Sequence, residues 1–374
     1  MSAFLKNFMA KKKVVIGMSG GVDSSVAAAL LKDAGYEVVG LTMRLWDGEM
    51  RDGCLAEGTC CSLSAVEDAR YVCYKLGIEH HVMDFRADFE KYVIDYFVDE
   101  YKNGRTPNPC IACNKFLKFD AMLKKAELLG ADYVATGHYA KVEFDRASGR
   151  YLLRRAVSLA KDQTYALYSL TQEQLSKILM PLGALRDKEE TRKIAEERGL
   201  VTAKKPDSME ICFVPDNDYA GFIKRRTGEE TLPGDFVDEK GNVLGRHKGI
   251  IHYTVGQRKG LGVTFGKPMF VLRIDAEKNQ VVLGEKGTEF SSELIAENLN
   301  FIPFDEIKEP IRVLAKVRYS AKAASATAVP LENMRARVVF DEPQRAITPG
   351  QAVVFYEIDG DGVVGGGIIT GEKQ

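Results

Sequence analysis

No apolar run in this 374-residue chain approaches the roughly 20 residues that a membrane-spanning helix requires, so no membrane segment is expected. Nor does either sign of charge predominate: 52 Lys and Arg stand against 53 Asp and Glu, a formal net charge of −1. Affinity for nucleic acid regardless of sequence comes from phosphate neutralisation, so this balance argues against a protein that coats DNA or RNA indiscriminately; local basic patches stay open. The leader Met1 to Lys13 carries lysines but no apolar signal core and no small-residue cleavage site, which predicts a cytoplasmic protein. Internal repeats and low-complexity segments are missing. The seven cysteines (54, 60, 61, 73, 110, 113 and 212) are an odd number in a long chain without export features, so a disulfide scaffold is not expected.

What is present is organised around Val14-Val15-Ile16-Gly17-Met18-Ser19-Gly20-Gly21-Val22-Asp23-Ser24-Ser25. A β-branched run stops at a small-residue loop, and an apolar helical pattern follows at once. Glycines let backbone N–H groups approach a ligand, and Asp23, Ser24 and Ser25 sit where a helix N-terminus needs caps. A strand, a nest of N–H groups and a helix N-terminus form a phosphate site. The lysine of a Walker A loop is missing, and the spacing is not G-x-G-x-x-G.

From Lys13 to about Tyr139 short strands (14–18, 37–43, 80–85, 132–139) alternate with helical stretches (24–34, 62–76, 87–102, 116–129). This predicts an α/β, doubly wound parallel sheet with helices on both faces and the ligand at the strands' carboxyl ends. The Gly20-Gly21 loop, Met43 and Thr136-Gly137-His138 then meet on one side. Met43 suits contact with an adenine or plain core packing, and His138 is equally compatible with a core position. The loop from Trp46 to Thr59, ending in Cys60-Cys61, is expected at the surface; burial or incidental occupancy is expected for Cys54, Cys60, Cys61 and Cys73.

The stretch Gly104-Arg105-Thr106-Pro107-Asn108-Pro109-Cys110-Ile111-Ala112-Cys113-Asn114-Lys115 is a two-proline turn presenting C-x-x-C at a helix start. A thiol there, near Lys115 and Lys118, should have a lowered pKa, suited to attack on a persulfide or to disulfide exchange. Half a zinc site is the competing reading, but no second Cys or His pair lies nearby. Cys212 is the one distant candidate, and three cysteines also fit an iron–sulfur cluster with one non-cysteine ligand.

Residues 150–198 read as mainly helical. There Lys161-Asp162-Gln163 precedes an apolar helix, either as a capped end or as a contact to phosphate and ribose. After about Asn217, Gly and short alternating strands dominate. Hairpins are expected around Lys240-Gly241-Asn242 and Lys278-Asn279, and the basic loop Gly256-Gln257-Arg258-Lys259-Gly260 suits phosphate contact or simple solvation. From Asn298 onward, strand patterns at Ile311–Tyr319, Met334–Phe340, Gln351–Tyr356 and Val363–Ile369 predict a small barrel. The expected division is 1–216, a loop-bearing α/β domain; 217–292, a small central β-rich domain; and 293–374, a C-terminal β-barrel.

Taken together, Gly17–Ser24, Gly104–Pro109, Cys113-Asn114-Lys115, Thr136–Tyr139, Lys161–Gln163, Lys205-Pro206-Asp207-Ser208, Ile211-Cys212-Phe213, Tyr253–Gly262 and Thr348-Pro349-Gly350-Gln351 resemble the bacterial tRNA-specific 2-thiouridylases, within the N-type ATP pyrophosphatase (PP-loop) superfamily. The resemblance implies ATP-dependent thiolation, with Mg2+, of the wobble uridine at position 34 of tRNA(Lys), tRNA(Glu) and tRNA(Gln). A persulfide donor, either a cysteine desulfurase or a sulfur relay protein, is implied as a partner. Carried onto this chain, Gly17, Met18, Ser19, Gly20, Gly21, Val22, Asp23 and Ser24 would hold the ATP phosphates, with Met43 and Gly137 beside the adenosine. Cys113 would be the nucleophile and Cys212 the persulfide carrier. Asn108, Pro109 and Cys110 would face the target base; His138, Lys161, Asp162, Gln163, Arg318, Tyr319 and Gln351 would touch tRNA. Cys110 departs from the family, many of whose members have aspartate there, so a [4Fe–4S] cluster on Cys110, Cys113 and Cys212 and a disulfide cycle both stay open.

Overall fold

The computed structural model describes residues 11–46, 63–206 and 211–372. The expected surface loop beyond Trp46, with Cys54, Cys60 and Cys61, and residues 207–210 lie outside the described residues. The chain divides into two compact units, one of Met1–Phe89, Asn114–Thr164 and Leu170–Cys212, the other of Glu90–Cys113, Tyr165–Ser169 and Phe213–Gln374.

The first unit is built on a parallel sheet of β1 (Lys13–Gly17), β2 (Glu37–Arg44), β3 (Glu79–Asp84), β4 (Tyr133–Ala135) and, beyond the hairpin of β5 (Ala140–Asp145) and β6 (Arg150–Arg155), β7 (Ile178–Leu179). Their order is β3-β2-β1-β4-β7, so β1 is central. Val14, Val15 and Ile16 are wholly buried, which is why β1 reads as an unbroken apolar run rather than an alternation. The helix Val22–Asp33 packs on this sheet through a face of small residues, Ala27 and Ala28, with Val26 and Leu31 joining Val14, Ile16 and Met18 in one core.

Two expectations change here. The strand expected over 132–139 stops at Ala135, because Thr136–Tyr139 leave the sheet to run against the start of the Val22–Asp33 helix. Residues 150–198 are not mainly helical: β6 pairs antiparallel with β5 through a turn in which the Asp145 carboxylate accepts the N–H groups of Ala147 and Ser148, each at 3.1 Å. Only Gln172–Ser176 and Lys188–Glu197 in that stretch are α-helical.

The second unit holds a four-stranded sheet and a closed barrel. The sheet joins β8 (Gly234–Val237), β9 (Val243–His247), β10 (Met269–Asp275) and β11 (Gln280–Glu285) in the order β10-β11-β8-β9. Both expected hairpins are present, and a parallel β11–β8 pairing links them. The barrel closes in the order β12-β15-β14-β13-β16-β17, from β12 (Phe290–Phe301), β13 (Ile311–Lys316), β14 (Ala324–Leu331), β15 (Arg335–Arg345), β16 (Ala352–Tyr356) and β17 (Val363–Ile369). Strands β12 and β14 carried no expectation; β14 mixes alanines with a proline near its end, a weak strand signal. Alanines at 315, 326, 328 and 336 are buried in its core beside Phe340 and Phe355. Among the described residues, no helix is long and apolar enough to cross a membrane.

Candidate active site

In the first unit, the loop between β1 and the Val22–Asp33 helix is held by its own small side chains. Ser24 Oγ accepts from Ser19 N–H at 3.3 Å and donates to Gly21 O at 3.1 Å, while Ser25 Oγ donates to the same carbonyl at 2.8 Å. Gly20 has φ +68°, and a Cβ there would lie 2.2 Å from Ala65 O, so both conformation and space require glycine. Gly21 occupies the N-cap position without a side-chain cap bond, leaving a helix N-terminus with the positive end of its dipole at the loop. This arrangement can take an anion.

Asp23, in the first turn, is tied to distant residues. Lys188 Nζ lies 2.8 Å from each of its carboxylate oxygens, and Tyr139 Oη donates to Oδ1 at 3.0 Å. Tyr139 Oη is also 2.6 Å from Thr191 Oγ1, on the same helix as Lys188. On the other side of the loop Lys205 Nζ donates to Gly20 O at 3.0 Å and pairs with Asp68 at 2.7 Å. Two ammonium groups therefore border the loop. Lys188 escaped sequence reasoning because its helix reads as a solvated charged one; Lys205 was visible only as part of a motif.

The other residues expected near this loop divide. Gly137 lies where expected: an added Cβ would be 2.7 Å from Ser24 N and 2.8 Å from the Asp23 carbonyl carbon. Met43 is half-buried near the end of β2. Gln163 exchanges two bonds with Tyr139, accepting its N–H through Oε1 at 2.9 Å and donating its own N–H to Tyr139 O at 3.0 Å. Asp162 accepts from Ala156 N–H and Thr164 Oγ1, at 3.0 and 2.6 Å, so the Lys161–Gln163 segment is a built turn. His138 is buried, 2.7 Å from Thr136 Oγ1 and against Phe119, and burial with Lys118 nearby holds its pKa well below the ordinary value. It is a neutral imidazole.

In the second unit, Asn108 caps the helix that carries the C-x-x-C. Its Oδ1 accepts from the N–H groups of Cys110 and Ile111 at 3.1 and 3.3 Å, with Pro109 in the first helical position, as helix-start preferences favour. Cys110 is exposed; Cys113, half-buried, opens a π-helical stretch, Cys113–Ala121. Such wide turns recur at functional sites. The stretch of chain before this helix is anchored at three points. Arg105 pairs through two nitrogens with the buried Glu100, Nε to Oε2 at 2.9 Å, and Gln351 Nε2 donates to the carbonyls of Thr106 and Pro107 at 2.9 and 3.3 Å. Thr106 N–H in turn donates to Pro349 O at 2.8 Å. The Arg105–Glu100 pair was not foreseen.

Arg318 donates to Ala346 O and lies half-buried. Tyr319, 50% exposed, stands with its ring 6.0 Å from that of Tyr165 and with Lys316 Nζ 5.4 Å above it. Cys212 is half-buried in the first unit. Cys73 is buried in the first core, which pushes its thiol up to about 12 and makes it inert. Among the described residues no group of three or more His, Cys, Asp and Glu side chains is placed to hold a metal ion.

A parallel sheet whose central strand delivers a Ser-Gly-Gly-x-Asp-Ser loop onto a helix N-terminus defines an α/β protein of the PP-loop class. Family models described as tRNA methyl transferase HUP domain, tRNA methyl transferase PRC-barrel domain and Aminomethyltransferase beta-barrel domain match residues 12–216, 220–285 and 291–369. The tRNA-specific 2-thiouridylase MnmA of Acetivibrio thermocellus is 62% identical over 96% of this chain and 100% of its own length, and that of Clostridioides difficile is 59% identical over 96% and 98%. The chain belongs to the tRNA-specific 2-thiouridylase MnmA family. Among solved structures, a 4-thiouridine synthetase–RNA complex with bound ATP aligns at TM-score 0.33 and 21% identity, covering 55% of this chain and 46% of that one. An NMN synthetase from Francisella tularensis aligns at 0.32 and 16%, covering 61% and 82%.

Proposed function

We propose that this chain is an ATP-dependent tRNA-uridine 2-sulfurtransferase that converts the wobble uridine, position 34, of tRNA(Lys), tRNA(Glu) and tRNA(Gln) to 2-thiouridine. The observation that carries the reading is the serine-pinned loop on an uncapped helix N-terminus, in a chain 62% identical to a protein named for this reaction. The matched family models speak of methyl transfer, but a phosphate cradle and thiols on a capped helix suit adenylation and sulfur transfer better.

In this reading residues 1–216 adenylate, 217–292 help hold tRNA and 293–374 form the barrel that supports the C-x-x-C segment. Residues 17–24 bind the phosphates of ATP, which brings Mg2+ with it, while Met43 and Gly137 border the adenosine. The target base leaves the anticodon stack at a cost of about a few kcal/mol. Its O2 attacks the α-phosphorus and pyrophosphate leaves, turning a poor leaving group into AMP.

The terminal sulfur of a Cys212 persulfide then attacks C2 and expels AMP. Cys113 thiolate attacks Cys212 Sγ, which releases the thiocarbonyl and leaves a Cys113–Cys212 disulfide for a two-electron reductant to reopen. A cysteine desulfurase or a relay protein reloads Cys212. No step is routed through a [4Fe–4S] cluster. Asn108, Pro109 and Cys110 face the base. His138 is assigned to support rather than direct tRNA contact, since it is buried and neutral; Lys161, Arg318 and Tyr319 remain candidate tRNA contacts.

The test is AMP and pyrophosphate release from ATP under reducing conditions, with unmodified tRNA bearing uridine or cytidine at position 34. Release that requires the uridine is expected. Release without RNA, or equal release with cytidine, would show that the substrate is another molecule.

A further inference from the structure

The C-x-x-C places a second thiol beside the nucleophile, and the reaction proposed above gives it no covalent task. Cys113 N–H donates to the carbonyls of Cys110 and Pro109, so the two cysteines are one helical turn apart on a turn fixed by the Asn108 cap. Residues three apart share a helix face. Their Cα atoms are about 5 Å apart by helix geometry, within the roughly 4.4–6.8 Å that a disulfide spans. Cys110 is exposed whereas Cys113 is half-buried, the asymmetry of a dithiol whose outer sulfur meets a reductant.

From this we infer that Cys110 is the resolving thiol of the sulfur-transfer cycle, an inference that rests on the function proposed above. After sulfur delivery, Cys110 thiolate attacks Cys113 Sγ. The Cys113–Cys212 bond breaks, Cys212 leaves as thiolate ready for reloading, and a Cys110–Cys113 disulfide forms. No electrons are gained or lost in this exchange; a dithiol reductant then supplies two electrons at the exposed Cys110. The task of the reductant moves from a half-buried bond to the surface of one helix turn.

The test uses the full chain loaded with inorganic polysulfide, stripped of excess sulfur, then given ATP and unmodified uridine-34 tRNA without reductant. The reaction is quenched with iodoacetamide and its disulfides are mapped by mass spectrometry. A Cys110–Cys113 disulfide with alkylated Cys212 is expected; Cys110→Ser should instead trap Cys113–Cys212. A Cys113–Cys212 disulfide in the wild type with Cys110 alkylated, or no disulfide after thiolation, overturns the inference. If no AMP forms, the proposed function has failed instead. The dithiol is then judged by titrating the same chain in glutathione buffers, where the absence of a Cys110–Cys113 bond under oxidising conditions overturns it.

Discussion

Lys188 Nζ bridges both carboxylate oxygens of Asp23 at 2.8 Å, across 165 positions of sequence. The pair joins the first turn of the phosphate-loop helix to the helix Lys188–Glu197, and Tyr139 and Thr191 complete the same network. The ammonium group is mostly covered, with its side chain 12% exposed, so it is preorganised beside the loop rather than a mobile surface charge.

Lys188→Ala should therefore act on both stability and nucleotide use. Losing a charge-assisted bond beside a partly exposed carboxylate costs about 1–3 kcal/mol, read as a lower unfolding midpoint. The KM for ATP in uridine-dependent AMP release should rise several-fold. A variant with wild-type KM and a lowered midpoint would show that the lysine only braces the fold.

Gly137→Ala tests the approach of the Thr136–Tyr139 segment to the loop. The new methyl would press on backbone atoms of Asp23 and Ser24 at 2.7–2.8 Å, which cannot swing away as a side chain would. Relief requires moving the helix N-terminus, at about 1–3 kcal/mol for an overpacked site. The expected result is loss of ATP-dependent AMP release by tenfold or more, with a folded protein by circular dichroism.

How much of this was legible in the sequence follows from the range of each interaction. The β1 strand, the loop and the helix after it are local, and their pattern of β-branched, small and apolar residues names them. The same holds for Asn108 and Pro109, a cap and first-turn pair readable from four residues. The partners of these groups are another matter. Lys188 meets Asp23 only because two elements far apart in sequence pack side by side, and nothing in Lys188-Glu189-Glu190 distinguishes it from a solvated helix start. His138 shows the converse: the residue was singled out, but only its enclosure with Thr136 and Phe119 shows why its pKa is lowered. Strand β6 was hidden because its pairing with β5, not its own propensity, decides its conformation.

Four histidines with lowered pKa values make acid stability a further test. His138 has its folded-state pKa well below the ordinary value through burial, and His80, His247 and His252 are lowered in the same sense. A lowered folded pKa means that the unfolded chain takes up protons first as pH falls. The native state is therefore unaffected above about 6.5, and it loses stability from there down to the folded value, at up to about 1.4 kcal/mol per pH unit for each group. The unfolding midpoint should fall between pH 7 and pH 5, and His138→Asn should flatten that slope while lowering the midpoint at pH 7.5. An unchanged slope would mean that His138 is protonated in the native protein.

Gln351 separates two roles that a sequence match alone would merge. The resemblance makes it a tRNA contact, yet its amide nitrogen is already donated to the carbonyls of Thr106 and Pro107, just before the capped cysteine helix. A strap of this kind acts on Cys113 through the position of its helix, whether or not tRNA is present. Gln351→Ala should then lower the unfolding midpoint, by about 1 kcal/mol for each carbonyl left without its partner. It should also change the rate of Cys113 alkylation by iodoacetamide in the protein alone, while tRNA affinity in a filter-binding titration shifts less than threefold. A tenfold loss of tRNA affinity with unchanged alkylation and midpoint would place Gln351 at the RNA surface instead. Tyr319→Ala supplies the contrasting case: its ring is half exposed beside Lys316, so its loss should weaken tRNA binding by about 1–3 kcal/mol, the range of one base stacked on an aromatic ring, and leave Cys113 alkylation unchanged.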